Sequence, residues 1–300
     1  MQRMRHYSYV ILFGAIAALV LGGWSPGNSS PAPSGARFAW NVQGRCTGSG
    51  RLPTGLSNYK LTFDDEFDSF AAANGSGALP NLFHATWETK YFWGDRSLPQ
   101  NGETQFYSDS STGANPFALH DGVLDIAAAP GGNAAGLPYN SGMITSYRSF
   151  AQTYGYFEMQ AVLPQGKGMW PAFWLLPKNG AGEIDIMEAF GAPNTKGEGG
   201  GNQIHWADHY DTPSDTGDWV AVPADIYSGC HSYGVDWEPD TITWYFDGQP
   251  IAQVATPAMA HSPMYVLANL AVGGTWPGLA GGETAHLQID YIRVYQKPGR

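Results

Sequence analysis

The run Gly182-Glu183-Ile184-Asp185-Ile186-Met187-Glu188-Ala189-Phe190 sets two glutamates around an aspartate in a stretch that is otherwise mostly apolar. On a regular strand, side chains alternate between faces. Glu183 and Asp185 then share one face, while Ile184 and Ile186 pack on the other. Glu188 lies five positions after Glu183, so strict alternation sends it to the wrong layer. One extra residue at Ile186-Met187, a β-bulge, returns it to the face of Glu183, and bulges beside active sites re-aim side chains in this way. Three acids on an apolar strand are costly unless their face meets solvent or ligand. Two glutamates so placed would flank a glycosidic bond about 5–5.5 Å apart, the separation of a retaining mechanism. One carboxylate would attack the anomeric carbon; the other would protonate the leaving oxygen and then activate water. Asp185 would hydrogen-bond the attacking group and add negative charge that keeps the acid protonated. The same spacing also fits an exposed edge strand carrying three solvated acids, and spacing alone leaves both readings open.

The elements that must hold such a strand read as β throughout. From about residue 58, short apolar runs rich in Val, Ile, Tyr, Phe, Trp and Thr are broken by turn residues. YKLTFDDEF, Thr86 to Tyr91, TQFYSD, VLDIAAA, GMITSY, YGYFEMQAVLP, AFWLLP and EIDIMEAF are predicted strands. HSYGVDWE, TITWYFDG, MYVLANLAV and HLQIDYIRVYQ follow them. Residues 231–254 predict a hairpin: Glu238-Pro239-Asp240 separates two strands, and Asp247-Gly248 makes a tight turn of the kind that favours positive φ. Long Gly-rich connections at 130–142, 191–202 and 273–283 would cluster at sheet ends or line a cleft. No stretch after residue 24 has a helical period. The fold class is all-β, with two packed antiparallel sheets.

Composition agrees. The 300 residues are 43% hydrophobic, and glycine (39) and proline (21) together make up a fifth of the chain, against a usual share near 12%. The net charge of −11 leaves no basic stripe for nucleic acid. Arg3, Arg5 and His6 precede an apolar run from Tyr9 to Leu21, an export signal by charge, length and order. Residues 1–24 are a signal peptide or an uncleaved anchor, and the product is secreted, periplasmic or tethered to the membrane. Residues 25–57 are a Pro/Ser/Gly-rich tether and lead-in, and 58–297 form one domain. In an oxidising compartment Cys46 and Cys230 can form a disulfide; two separate thiols are the alternative. His209, Asp208 and Asp211 show no recognised ligand spacing.

Several segments in order give the chain a family resemblance. Its acid run resembles the E-x-D-x-x-E signature of glycoside hydrolase family 16, in the bulged, laminarinase-like branch. LTFDDEF, QNGETQFYS, YGYFEMQAVLPQGKGMWPAFWLLP, HSYGVDWEPDTITWYFDGQPI, NLAVGGTWPG and IDYIRVYQ resemble the family's other strands and loops. The resemblance runs from roughly Tyr59 to Gln296. It implies a concanavalin-like jelly-roll sandwich with a concave cleft, acting as a monomer on a polysaccharide. It makes Glu183 the nucleophile, Asp185 its assisting acid and Glu188 the acid/base. Trp170 would lie near the glycone subsites, with Asn101 and Glu103 near the donor sugar, while alternation would turn Trp174 into the core. His205 and Trp206 would line the leaving-group side and Trp276 would stack on a sugar, although polar strand-edge residues and a structural histidine would look the same. No cofactor is implied. Some members hold a structural calcium, for which Asp290 and the Asp64-Asp65-Glu66 cluster are compatible; scattered acids on an acidic chain account for them equally, and metal stays open. The implied activity is retaining endo-hydrolysis of β-1,3- or mixed β-1,3/1,4-glucan. Alternatives are depolymerisation of a bacterial, succinoglycan-like exopolysaccharide, which the segment LPQGKGMWPAFWLLP favours, and transglycosylation. A lectin-like binding protein is a further alternative, but such relatives typically lose one or both glutamates, and this chain keeps both.

Overall fold

β-Branched and aromatic residues at alternate positions drive the chain into strands. In the computed structural model, which describes residues 46, 52–70, 72–73, 86–210, 216–258 and 260–299, strands run from Lys60 to Gln296. The segment 1–24 and most of 25–57 lie outside the described residues. In chain order the strands are β1 (Lys60–Asp65), β2 (Ala72–Ala73), β3 (Trp87–Glu88), β4 (Gln105–Tyr107), β5 (Phe117–His120) and β6 (Val123–Pro130). Then come β7 (Tyr139–Ser141), β8 (Met143–Thr145), β9 (Gly155–Val162), β10 (Met169–Pro177), β11 (Glu183–Glu188) and β12 (Gln203–His209). The last are β13 (Thr216–Ala221), β14 (His231–Trp237), β15 (Thr241–Phe246), β16 (Gln249–Ala255), β17 (Met264–Val272) and β18 (Ala285–Gln296).

Two sheets form a sandwich. One runs β16-β15-β14-β9-β18-β6-β7-β4, with β1 added to β18 and β5 to β6; the other runs β13-β12-β11-β10-β17-β8-β3-β2. Pairing is antiparallel except for two short pairs, β2 with β3 and β4 with β7. β12 and β13 follow the Gly-rich 191–202 connection and were not expected from the sequence; the expected strand at Thr86 to Tyr91 is only two residues long. The hairpin turn forms as its residues dictate, with Asp247 at φ 48° and Gly248 at φ 71°.

The core lies between the sheets. Phe157, Met159 and Ile292 from one sheet meet Phe173, Ile184 and Val266 from the other, all fully buried. The register breaks where the spacing requires it. Against β12, Asp185 pairs with Ala207 and Glu188 with His205, leaving Ile186 and Met187 opposite the single residue Trp206. Both bulge side chains turn into the core. The carbonyl of Asp185, at the start of the break, accepts a 2.8 Å hydrogen bond from Nε1–H of Trp244, a buried residue of the opposite sheet. Gly182 sits just before the acids at φ +123°, where an added Cβ would run into the ring of Tyr210.

Cys46 and Cys230 are bonded, with Cα atoms 5.9 Å apart and a sequence separation of 184. Closing so long a loop stabilises by up to about 4–5 kcal/mol in the chain-entropy account. Thiol labelling of the unfolded, unreduced protein should find no free cysteine; two labelled thiols would refute the bond. Trp244→Phe leaves the Asp185 carbonyl buried without its donor. That substitution should destabilise the fold by about 1–3 kcal/mol in denaturant unfolding; unchanged stability would mean that the carbonyl does not depend on Trp244.

Candidate active site

The bulged strand carries Glu183, Asp185 and Glu188 into one cleft on the face of the second sheet away from the core. Even-numbered residues of β10 stand beside them: Trp170, Ala172 and Trp174 line the cleft, while Phe173 and Leu175 fill the core. Trp174 is buried as expected, but not by alternation into the core between the sheets. It is buried in a separate aromatic floor under the cleft, with Tyr91, Tyr107 and Tyr265, because it shares the parity of Trp170. Its Nε1–H donates to Oδ1 of Asn269 at 2.7 Å, and Nδ2–H of Asn269 donates to the Tyr107 hydroxyl at 3.0 Å.

Both oxygens of Glu188 are held. Oε1 accepts the Nε1–H of Trp170 at 2.9 Å, and Oε2 lies 3.0 Å from Nδ1 of His205. The Trp170 ring meets Trp276 edge-on at 5.6 Å, and Trp276 also packs edge-on against His205 at 4.8 Å and Phe190 at 4.7 Å. Trp276 donates its Nε1–H to Glu198 at 3.2 Å. On the far side, Asn101 donates to Glu103 at 3.3 Å, and both line the cleft. Glu103 is buried, which raises its pKa against the hydrogen bonds from Leu98, Gln105 and Asn101. Thus Trp170, Asn101, Glu103, His205 and Trp276 gather around the three acids. Trp206 does not: on β12 it alternates with His205, so its ring turns inward and packs on Trp244 at 4.5 Å.

Three residues of the site carry no signal in the local sequence. Asn269 enters through the pairing of β17 with β10, opposite Ala172. Tyr91 enters from the turn after β3. His209 lies opposite Glu183 on β12, with Nε2 3.2 Å from Oδ2 of Asp185.

Crowding sets the electrostatics. Burial first, then the charge of Asp185, pushes the Glu183 carboxyl well above the ordinary carboxylate range, and His209 opposes that rise. Burial first, then the charge of Glu188, pushes Asp185 up as well, while a hydrogen bond from protonated Glu183 acts the other way. Glu183, Asp185 and His209 are also the group among the described residues whose ligand-type atoms lie within 4.8 Å of one another; a cation there would occupy the very carboxylates that face the cleft. Two of the acids named for a structural calcium have partners in the fold. Asp65 accepts N–H groups from Phe67 and Trp87 at 2.8 and 2.7 Å, and Glu66 takes both Nε and Nη2 of Arg293.

The description Glycosyl hydrolases family 16 matches residues 95–293. Endo-1,3-1,4-beta-glycanase ExsH of Rhizobium meliloti (strain 1021) is 40% identical over 263 residues, covering 82% of this chain and 53% of its own. EglC of the same organism, with the same enzyme name, is 40% identical over 253 residues, covering 78% and 51%. The chain spans about half the length of these curated relatives. The crystal structure of the laminarinase from Rhodothermus marinus aligns with TM-score 0.66 at 29% identity, covering 82% of this chain and 99% of that one.

Glu183 and Asp185 both titrate higher folded than unfolded, so between the ordinary carboxylate range and those raised values the folded chain holds more protons. Their contribution to stability is greatest below that range and falls as pH rises through it. Asp185→Asn removes one crowded charge. Its melting temperature should exceed the parent's at neutral pH, and the gap should close as the medium is acidified. A variant no more stable than the parent at neutral pH would contradict this crowding.

Proposed function

The chain belongs to glycoside hydrolase family 16, and from that premise we propose that it is a retaining endo-β-glycanase cutting β-1,3- or mixed β-1,3/1,4-glucan. The observation that carries the reading is the bulge at Ile186-Met187, which sets Glu183, Asp185 and Glu188 on one cleft face. Glu183 attacks the anomeric carbon and forms the glycosyl-enzyme. Glu188 gives its proton to the departing glycosidic oxygen and takes one from the water that later attacks. Trp170 and His205 orient the Glu188 carboxyl, which is held by both oxygens while the reacting bond lies across it. Asp185 hydrogen-bonds Glu183 and fixes its attacking oxygen; His209, beside Asp185, favours loss of the proton that Glu183 must shed. The Trp170 and Trp276 rings offer flat apolar faces to pyranose C–H groups.

The names of the two Rhizobium relatives favour a mixed-linkage substrate. The segment LPQGKGMWPAFWLLP, which resembles exopolysaccharide glycanases of the family, supports a second reading, in which the polymer is a bacterial exopolysaccharide. Export to the periplasm or medium suits an enzyme of large polymers, and the Cys46–Cys230 bond supports it, since disulfides persist in oxidising compartments. We take the working form to be a monomer that needs no cofactor.

The stereochemistry of the first-formed reducing end is the decisive test. NMR during hydrolysis of a β-glucan should show the β-anomer first; initial release of the α-anomer would reject these roles. Glu183→Ala should abolish turnover of polymer and of activated aryl glycosides alike, a loss of at least about 10⁴-fold. Glu188→Ala should hurt poor leaving groups most, and azide should rescue it on activated ones, giving a β-glycosyl azide.

A further inference from the structure

Among the described residues, the exposed large apolar side chains are Leu61, Phe92, Trp93, Leu119 and Leu279. Single exposed leucines are ordinary, but adjacent exposed aromatic rings call for an occupant. Phe92 is 46% exposed and Trp93 43%. Both are held rigidly. The Tyr91 N–H donates to the Asp95 carbonyl at 3.1 Å, and the Gly94 N–H donates to the Tyr91 carbonyl at 2.9 Å, closing a tight turn. Trp93 lies flat on Tyr91, centroids 4.5 Å apart and planes 11° apart, and its Nε1–H donates to Asp95 at 2.9 Å. Phe92 lies flat on Tyr147, 4.4 Å away at 13°. The two rings meet edge-on at 4.9 Å. Each thus has one face covered by a tyrosine, and their orientation is fixed before anything binds.

This pair is continuous with the cleft. Tyr91, under Trp93, lines the cleft with Glu103 and Glu183 and packs on Trp174 at 6.3 Å. The turn follows β3 and Tyr147 follows β8, which stand four and three places from β11 in the sheet. At ~4.8 Å per strand those two strands lie roughly 14–19 Å from β11, and Tyr91 links the turn to the cleft wall. The neighbouring cations are engaged: Lys178 binds the Tyr147 carbonyl, and Arg148 pairs with Glu88 at 3.0 Å. The surface therefore offers ring faces more than charge. Phe92 and Trp93 also precede residue 95, where the family match begins.

We propose that Phe92 and Trp93 form a distal aromatic shelf that binds the pyranose faces of a long β-glycan whose reacting unit lies at Glu183. The inference rests on the glycanase reading and adds a site to it. Fixed rings lose little entropy on binding, so the shelf favours long chains over short oligosaccharides at the same cleft.

The test uses full-length protein carrying Glu183→Ala, run on native gels containing mixed-linkage β-glucan. The double change Phe92→Ala, Trp93→Ala in that background should weaken retardation about tenfold. Trp93→Phe, which keeps a stacked plane, should retain most of it, and raised salt should change it little. In the active enzyme, the double change should cut kcat/KM on polymer about tenfold more than on a tetrasaccharide. Equal losses at every chain length, or no loss of retardation, would overturn the shelf. So would a parent dimer that becomes monomeric in the double variant by sedimentation, since a second copy would then be the occupant. An enzyme that hydrolyses no glucan would refute the β-glucanase reading, while the gel would still decide whether the shelf holds the polymer.

Discussion

The alternation of side chains along a strand is the constraint on which this site depends. Residues five apart belong to opposite faces, yet Glu183 and Glu188 must face the same ligand. The bulge resolves this by turning both Ile186 and Met187 into the core, so two consecutive residues serve one layer. The cost of a broken ladder is met locally. Trp244 crosses the sandwich to bind the Asp185 carbonyl, and Gly182 lets the strand enter against the Tyr210 ring. Opposite sheets are thereby coupled at this break in the ladder.

That placement concentrates negative charge where burial already opposes it. Asp185 and Glu188 are 3% and 8% exposed, and among the described residues His209 pairs with Asp185 and His205 with Glu188. A site of this kind trades stability for reactivity. The two ends of the acid run are held differently. Glu188 is gripped through indole and imidazole by a cluster of aromatic rings, whereas Glu183 faces the Asn101–Glu103 side and the tyrosine floor.

Much of this was legible in the sequence. The long apolar strands, the Asp247-Gly248 turn and the bulge each follow from local periodicity, because each is decided by residues next to one another. What escaped was decided by pairing. His209 meets Asp185 only because β12 lies in register with β11, and β12 itself was hidden behind the Gly-rich 191–202 run. Once β12 is a strand, alternation sends Trp206 inward, contrary to the reading that paired it with His205 at the ligand. Trp174 is buried as expected, but alternation gives it the parity of Trp170, so it is buried beneath the cleft and not between the sheets. Asn269, amid the buried apolar run of β17, gave no local hint that its amide would organise the floor.

The bond between Cys46 and Cys230 has a consequence for a chain that meets proteases. It closes a covalent ring that contains every strand from β1 to β13, and with them the acids of β11. A cut in the exposed 191–202 connection would open that ring without parting the fragments. The 273–283 connection lies outside it. A cut there would leave β18, which sits between β9 and β6 in the middle of its sheet, held by non-covalent contacts alone. The molecule's vulnerability to nicking is thus uneven, and the weak side is the one farther along the chain from the acids.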